Sequence, residues 1–240
     1  MKALFFMPVY DQVRELPRVL DAIAAARLAD VEFLLVNNGS RDGSQELIRA
    51  SGHASIDLPQ NRGVGYSYIL ALDWALAREY TIFGTIASNG KMLPAEISRL
   101  IDPIRTSQAD YVTGSRFLAG GSSPNLPRFR RTSIPVVNAF VWMALGARLT
   151  DATCGFRAFR LEIMRRARFD WHATWLYTYS FEYYLYAKVL LGPRLRTLEV
   201  PITMQYPVSG AYSKIRPGWD WVAMLRPWVV ARFEREGFAP

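Results

Sequence analysis

Thr81-Ile-Phe-Gly-Thr-Ile-Ala-Ser-Asn-Gly-Lys-Met-Leu-Pro-Ala-Glu96 is the stretch on which the reading of this chain turns. Its first half is an apolar, β-branched run of strand length. Its second half turns at Asn89-Gly90 before Pro94 and Glu96 open a helix. In an open α/β sheet, ligands bind at the carboxyl edge of the strands, which places Ala87 to Lys91 against a substrate. A turn built to hold a metal carries carboxylates; this one carries Ala87, Ser88, Asn89 and Lys91.

Upstream, Lys2 to Met7 reads as a strand, followed by the turn Pro8-Val-Tyr-Asp-Gln12. Leu16, Val19, Leu20 and Ile23 recur at helical spacing. Val31 to Val36 is a near-continuous apolar strand of the kind buried in parallel sheets. It runs through Asn37 to Ser44 into a helix, Gln45 to Ala50. A short strand at Ser55 to Leu58 and the turn Pro59 to Gly65 lead into another helix, ending about Ala77. Downstream come the helix Ala95 to Ile104 and the strand Asp110 to Thr113, which ends in Gly114-Ser-Arg116. Strands and helices alternating in this way predict an α/β fold with a Rossmann-like, mostly parallel sheet flanked by helices.

The second half differs. Leu118 to Arg131 is rich in Gly, Ser, Pro and Arg and reads as a loop or lid. Ile134 to Ala147 is an apolar helix, Asp151 to Arg157 a turn with a short strand, Tyr179 to Leu191 an aromatic helix, and Leu195 to Ile202 a strand. Trp219 to Phe233 reads as a basic amphipathic helix. Val222, Leu225, Val229 and Phe233 share a face, Trp219, Trp221 and Trp228 lie nearby, and Arg226, Arg232 and Arg235 are interspersed. That composition suits a membrane interface, or a helix packed on its own domain or a homodimer partner. The expected division is a domain over 1–215 and this C-terminal helix within 216–240.

Residues 1–120 hold 12 Lys and Arg against 13 Asp and Glu, and residues 121–240 hold 17 against 8. The net charge of +8 therefore belongs to the C-terminal half and implies an anionic partner such as a lipid phosphate or a membrane surface. No nucleic-acid recognition module is legible. The single cysteine, Cys154, excludes an intrachain disulfide and a cysteine-rich zinc site, and fits a cytoplasmic setting. Pro8 cuts the opening apolar run too short for a signal peptide, and Ile134 to Leu145 is too short to span a bilayer.

The turns together resemble glycosyltransferase family 2, with the GT-A fold, and most closely its dolichyl-phosphate mannosyltransferase (polyprenyl-phosphate glycosyltransferase) branch. The family's Pro-Val-Tyr-Asn-Glu stands here as Pro8-Val9-Tyr10-Asp11-Gln12, and its Asp-Asp-Gly-Ser-x-Asp-Gly-Ser as Asn37-Asn38-Gly39-Ser40-Arg41-Asp42-Gly43-Ser44. Asn61, Gly63 and Gly65 fit Asn-x-Gly-x-Gly, and Gly114-Ser115-Arg116 fits Gly-Ser-Arg. Asp151, Gly155, Phe156 and Arg157 fit Asp-x-x-x-Gly-Phe-Arg. Glu182, Glu199-Val200-Pro201-Ile202 and Ser213-Lys214 complete a series in register across about residues 3 to 215.

The resemblance implies an inverting transfer from a GDP- or UDP-linked sugar to a polyprenyl phosphate or other anionic acceptor, at the cytoplasmic face of a membrane. It places Pro8, Tyr10, Gln12, Val36 and Asn38 at the nucleoside, with Asn61, Gly63, Ser88, Asn89, Lys91, Arg116 and Lys214 completing the donor site. Arg131, Arg157 and Lys214 fall to the acceptor, and Arg128 and Arg130 are further cations placed to draw in a phosphate. Asp42 is expected to cap its helix. Where the family carries Asp-x-Asp-x-Gln, which holds a divalent cation on the donor diphosphate, this chain has Ala87-Ser88-Asn89-Gly90-Lys91, a set that disfavours Mg²⁺ or Mn²⁺. Lys91, assisted by Arg116 and Lys214, then stands in for the metal; the alternative is a solvated turn lysine. An Arg expected after Glu-Val-Pro-Ile is missing near Tyr206 or Pro207. A phosphate acceptor is already anionic and needs no base, whereas a hydroxyl acceptor requires one, for which Asp151 and Glu182 are the candidates. The competing reading is a pseudo-glycosyltransferase retained as a binding or scaffolding partner.

Overall fold

A computed structural model describes residues 1–192, 194–207, 219–234 and 236–239, with backbone alone for 219–223. The strands are β1 (Ala3–Val9), β2 (Val31–Asn38), β3 (Ala54–Leu58), β4 (Ile82–Thr85), β5 (Tyr111–Ser115), β6 (Arg157–Arg160) and β7 (Thr197–Pro201). They form a seven-stranded sheet in the order β3-β2-β1-β4-β6-β5-β7. Only β6 runs antiparallel to its neighbours β4 and β5. The α/β, mostly parallel architecture expected of the GT-A fold is therefore the one observed.

Successive residues of β1 point to opposite faces of the sheet. Leu4 and Phe6 join Leu34, Val36 and Phe83 in one buried layer, and Ala3, Phe5 and Met7 join Phe33, Leu35 and Ile82 in the other. Helices α1 (Leu16–Ala26), α2 (Ser44–Ala50) and α4 (Ile97–Arg105) cover the second layer through Leu16, Ile48 and Leu100. The first is covered by α3 (Val64–Leu76), α5 (Arg128–Leu145), α7 (Ser180–Leu191) and α8 (Trp219–Phe233). A short helix α6 (Glu162–Arg165) follows β6. The chain winds one way from β1 through β2 to β3, then crosses back so that β4 pairs with the other side of β1. This reversal opens a crevice past the carboxyl ends of β1 and β4, where the 8–12 and 86–91 segments meet.

Three expectations change. The loop thought to run to Arg131 ends earlier, because α5 begins at Arg128 behind Pro127, whose ring fixes the φ a helix entry needs. Its end moves too: Gly146, in the left-handed region, closes it. The helix after the 87–91 turn enters through a 3₁₀ turn, Pro94–Glu96. There Glu96 is buried, accepting from Arg99 and from the Thr203 amide that follows β7. The third change concerns α8, whose buried face is Met224, Trp228 and Ala231, whereas Val229 and Phe233 face outward. Trp228 is core, packed against Tyr183 and Tyr186, because the helix is apolar on more than one side and the sheet layer takes the bulkiest. The side chains of Trp219, Trp221 and Val222, with Arg235, lie outside the described residues.

Candidate active site

The crevice is a cavity of about 690 Å³. One wall is made by the β1 and β2 loops, which are knitted together by short polar side chains. Asp11 Oδ1 accepts the Arg41 amide and its own amide donates to Ser40 Oγ. Asp42 accepts from the amides of Val13 and Ser44 and from the Ser44 hydroxyl, while Ser44 Oγ accepts the Gln12 amide. Burial works against the Asp42 charge, but these donors hold its carboxyl below the usual range. Asp42 thus braces the loop at the helix entry but is not its cap: that position is Gly43, in the left-handed region and without a side-chain cap hydrogen bond. Asn38 is held by the Arg62 amide, which donates to its Oδ1, and donates in turn to Asn61 Oδ1. The next loop closes tightly: a Cβ on Gly65 would stand 1.9 Å from the Leu176 carbonyl oxygen, so only glycine admits this approach.

The 87–91 turn forms the floor. Ser88 Oγ donates to the Pro8 carbonyl at 2.6 Å, the Lys91 amide donates to Asn89 Oδ1, and the Gln205 amide donates to the Lys91 carbonyl. These bonds bring the segment after β7 beside the turn, and the Lys91 ammonium lies 5.5 Å from the Tyr206 ring centroid. Desolvation, then the neighbouring Arg130 and Arg116, lower the Lys91 pKa to about 8.

Arg116, 3% exposed, is committed elsewhere. Its Nε and Nη2 each donate to Asp151 at 2.6 Å, Nη2 also to Thr153 Oγ1, and Nη1 to the Tyr206 hydroxyl. Glu199 accepts the amides of Thr150 and Asp151, so this motif glutamate holds the turn that holds Arg116. On α7, Glu182 faces the cavity with about 24% of its side chain exposed. Arg157 stands behind it, fully buried, donating to the carbonyls of Cys154, Ala152 and Glu182, with Nε 3.5 Å from Glu182 Oε1. Burial pushes the Glu182 carboxyl up against the opposing pull of Arg157.

Pro8, Tyr10, Gln12, Asn38, Asn61 and Gly63 line the cavity, as do Ser88, Asn89, Lys91, Arg116 and Glu182. Four others do not. Val36 is a core side chain of β2, because strand alternation turns it into the sheet layer. Asp151 is fully buried in its ion pair and has no route to act as a base. Arg157 supports Glu182 from behind instead of meeting an acceptor. Arg131 is exposed, and Arg130 lines the cavity in its place. Arg130 lies one turn before Ile134 on the inward face of α5, and Arg131 is rotated off that face. Reading 118–131 as loop removed the periodicity that separates them. Tyr206 was missed as a lining residue, marked only as the place of an absent arginine. Lys214 lies outside the described residues.

Residues 5–170 match glycosyl transferase family 2. The chain belongs to that family. It is a glycosyltransferase, 31% identical over 209 residues to the undecaprenyl-phosphate mannosyltransferase of Micrococcus luteus, across 85% of this chain and 83% of that protein. It is 30% identical to the polyprenol monophosphomannose synthase of Mycolicibacterium smegmatis, across 69% of this chain and 64% of that one. Among solved structures, glucosyl-3-phosphoglycerate synthase from Mycobacterium tuberculosis, bound to Mn²⁺, uridine diphosphate and phosphoglyceric acid, shares the fold. Its TM-score is 0.68 at 18% identity, covering 97% of this chain and 78% of that one.

The 87–91 turn of this family member offers no carboxylate to a divalent cation. Ser88 Oγ is engaged by Pro8, Asn89 Oδ1 accepts the Lys91 amide, and the remaining polar side chain is itself a cation. Among the described residues, no three His, Cys, Asp or Glu side chains gather into a metal-holding group. No helix among them is long and apolar enough to cross a membrane.

Proposed function

We propose that this chain transfers a sugar from a nucleotide diphosphate to a polyprenyl phosphate, with inversion and without a metal. The carrying observation is the 87–91 turn, where the partly desolvated ammonium of Lys91 lies in a field shared with Arg130. A nucleoside spans Pro8, Tyr10, Gln12 and Asn38, which sets its diphosphate over Ser88 to Lys91. Lys91 stabilises the charge that develops on the leaving diphosphate, where a preorganised cation in a low-dielectric site is worth most. A phosphate oxygen of the acceptor, steered by Arg130, forms a bond to the anomeric carbon. The bond to the diphosphate oxygen breaks with its electron pair, and no proton moves. A single displacement inverts the centre. Arg116 acts through Tyr206 and the Asp151 turn as a positioning residue.

Membrane contact completes the reading, since a polyprenyl phosphate lies in a bilayer. Phe129, Val136 and Met143 recur every seven residues on the outward face of α5, at 59%, 69% and 72% exposure, with Arg128 and Arg131 beside them. Such an apolar stripe edged by arginines suits an anionic lipid surface.

The test is transfer from GDP-mannose and the UDP-hexoses to undecaprenyl phosphate, after EDTA treatment and again with added Mg²⁺ or Mn²⁺. Turnover that EDTA leaves intact supports the whole reading. Turnover that appears only with added metal removes Lys91 from its assigned role. Absence of both turnover and nucleotide binding returns the chain to the scaffolding alternative.

A further inference from the structure

The segment that follows β7 meets the 87–91 turn both along the backbone and through a side chain. Met204 pairs with Met92 in an antiparallel bridge, and the Gln205 amide donates to the Lys91 carbonyl at 2.8 Å. The Lys91 ammonium stands over the Tyr206 ring, 5.5 Å from its centroid. We infer that Tyr206 is the positioning residue for Lys91: its ring face holds the ammonium in place for the diphosphate, and its hydroxyl ties that ring to Arg116. This rests on the reading of Lys91 as the cation that meets the leaving diphosphate.

Tyr206 is itself immobilised. It is 5% exposed, its amide donates to the Pro124 carbonyl, and its own carbonyl accepts from Asn125 Nδ2. At the far end the hydroxyl accepts from Arg116 Nη1 and donates to Met204 Sδ at 3.3 Å. Arg116 is gripped in turn by Asp151 and Thr153, so the ring is anchored to the buried framework. Lysine carries its charge on a flexible four-carbon stem, and a fixed ring removes part of that freedom before the substrate arrives.

The surrounding charges explain why this residue is aromatic. Arg116 and Arg130 repel the Lys91 ammonium, and Arg18 of α1 stands behind the turn, donating to the Gly90 carbonyl at 3.5 Å. A further cation at 206 would add to that repulsion, and a carboxylate there would cancel the charge a diphosphate needs. The face of an aromatic ring attracts an ammonium through its quadrupole and adds no net charge. Across the cavity lie Glu182 on α7, with Tyr10 and Tyr179 on the loop after β1 and at the start of α7. Burial raises Tyr68, Tyr183 and Tyr206, so these three stay neutral where Lys91 titrates.

Lys2, Lys91, Lys188 and Lys214 are the lysines of the chain, so isotopically labelled lysine lets the Lys91 ε-carbon be titrated by NMR in the full-length protein. Its signal is assigned by its loss in Lys91→Arg. The titration is run on the wild type, Tyr206→Phe and Tyr206→Leu, beside kcat/KM against pH for transfer from GDP-mannose and the UDP-hexoses to undecaprenyl phosphate. Tyr206→Leu keeps apolar bulk and removes the ring, so the charged form loses its attraction. The Lys91 midpoint should fall by about one pH unit, the alkaline limb of kcat/KM should move down with it, and kcat/KM should drop roughly tenfold or more. Tyr206→Phe keeps the ring and should hold both the midpoint and the limb in place, with a smaller loss of kcat/KM. In Tyr206→Leu, a midpoint that stays, or that rises as entry of water alone would make it, overturns the inference. So does a midpoint that falls equally in Tyr206→Phe. A midpoint that falls while the alkaline limb stays, or while no transfer is found, removes Lys91 from the reaction and takes the inferred role with it. Should Tyr206→Leu not fold, nuclear Overhauser contacts between the Lys91 ε-protons and the Tyr206 ring of the wild type decide, and their absence overturns the inference.

Discussion

The 87–91 turn and the residue after β5 each bring a cation to the same cavity, Lys91 and Arg116, and the protein treats them in opposite ways. Arg116 reaches the wall with its guanidinium fixed by both oxygens of Asp151, by Thr153 and by Tyr206. Lys91 reaches it beside two other cations and with its pKa lowered by desolvation. The first arrangement is a framework whose charge is already neutralised. The second is a desolvated ammonium in the repulsive field of Arg130 and Arg116. A buried ion pair contributes geometry, whereas a desolvated cation contributes affinity for what is to come.

The largest effect should come from unbalancing the framework. Asp151→Asn strands the Arg116 charge and should destabilise the fold by about 3–5 kcal/mol, read as a lowered denaturation midpoint. A loss under 1 kcal/mol would erase the distinction drawn between the two cations. Lys91→Ala should do the reverse, leaving the midpoint in place and slowing transfer by roughly 10²–10³-fold. Activity equal to wild type would return Lys91 to a solvated turn residue.

Acidity separates them further. Lys91 acts as its ammonium, so kcat/KM should be high below about pH 8 and fall as pH rises through that value. Lys91→Arg should move this limb upward, because guanidinium stays charged. In folding the sign is opposite: the native state holds fewer protons on Lys91 than the unfolded chain, so its destabilising contribution is relieved between about 8 and the ordinary lysine value. An alkaline limb unchanged in Lys91→Arg would assign that ionisation elsewhere.

Arg130→Ala should weaken the polyprenyl phosphate KM by roughly tenfold, as expected for loss of a charged contact, with Arg131→Ala close to wild type. Equal effects would mean that α5 acts through bulk charge. The smallest change is expected at the surface. Val136→Ser with Met143→Ser should shift the midpoint by no more than about 0.5 kcal/mol per site while reducing sedimentation with anionic liposomes. Unchanged sedimentation would move membrane contact away from α5.

Much of this was legible in the chain itself. Alternating strands and helices, and turns at the strand ends, depend on local periodicity and turn chemistry, which nearby residues set. The same holds for the missing carboxylates at 87–91. Position 36 shows where that reasoning stops, since a motif neighbour can turn its side chain into the sheet. Arg130 and Arg131 show it again, because one residue's shift in where a helix is taken to begin decides which arginine faces inward.

Sequence alone determined the α/β class, the turn at the carboxyl edge of β4 and the absence of carboxylates from residues 87–91. These are properties of composition and short-range order. Tertiary structure decided which charges are available. Asp151 and Arg116 are 35 residues apart and Arg157 and Glu182 are 25 apart, so their pairings appear only when β5, β6 and α7 are brought together. Whether a charged side chain is a catalyst or a strut depends on its partners and its desolvation, and both are set by contacts distant in the chain.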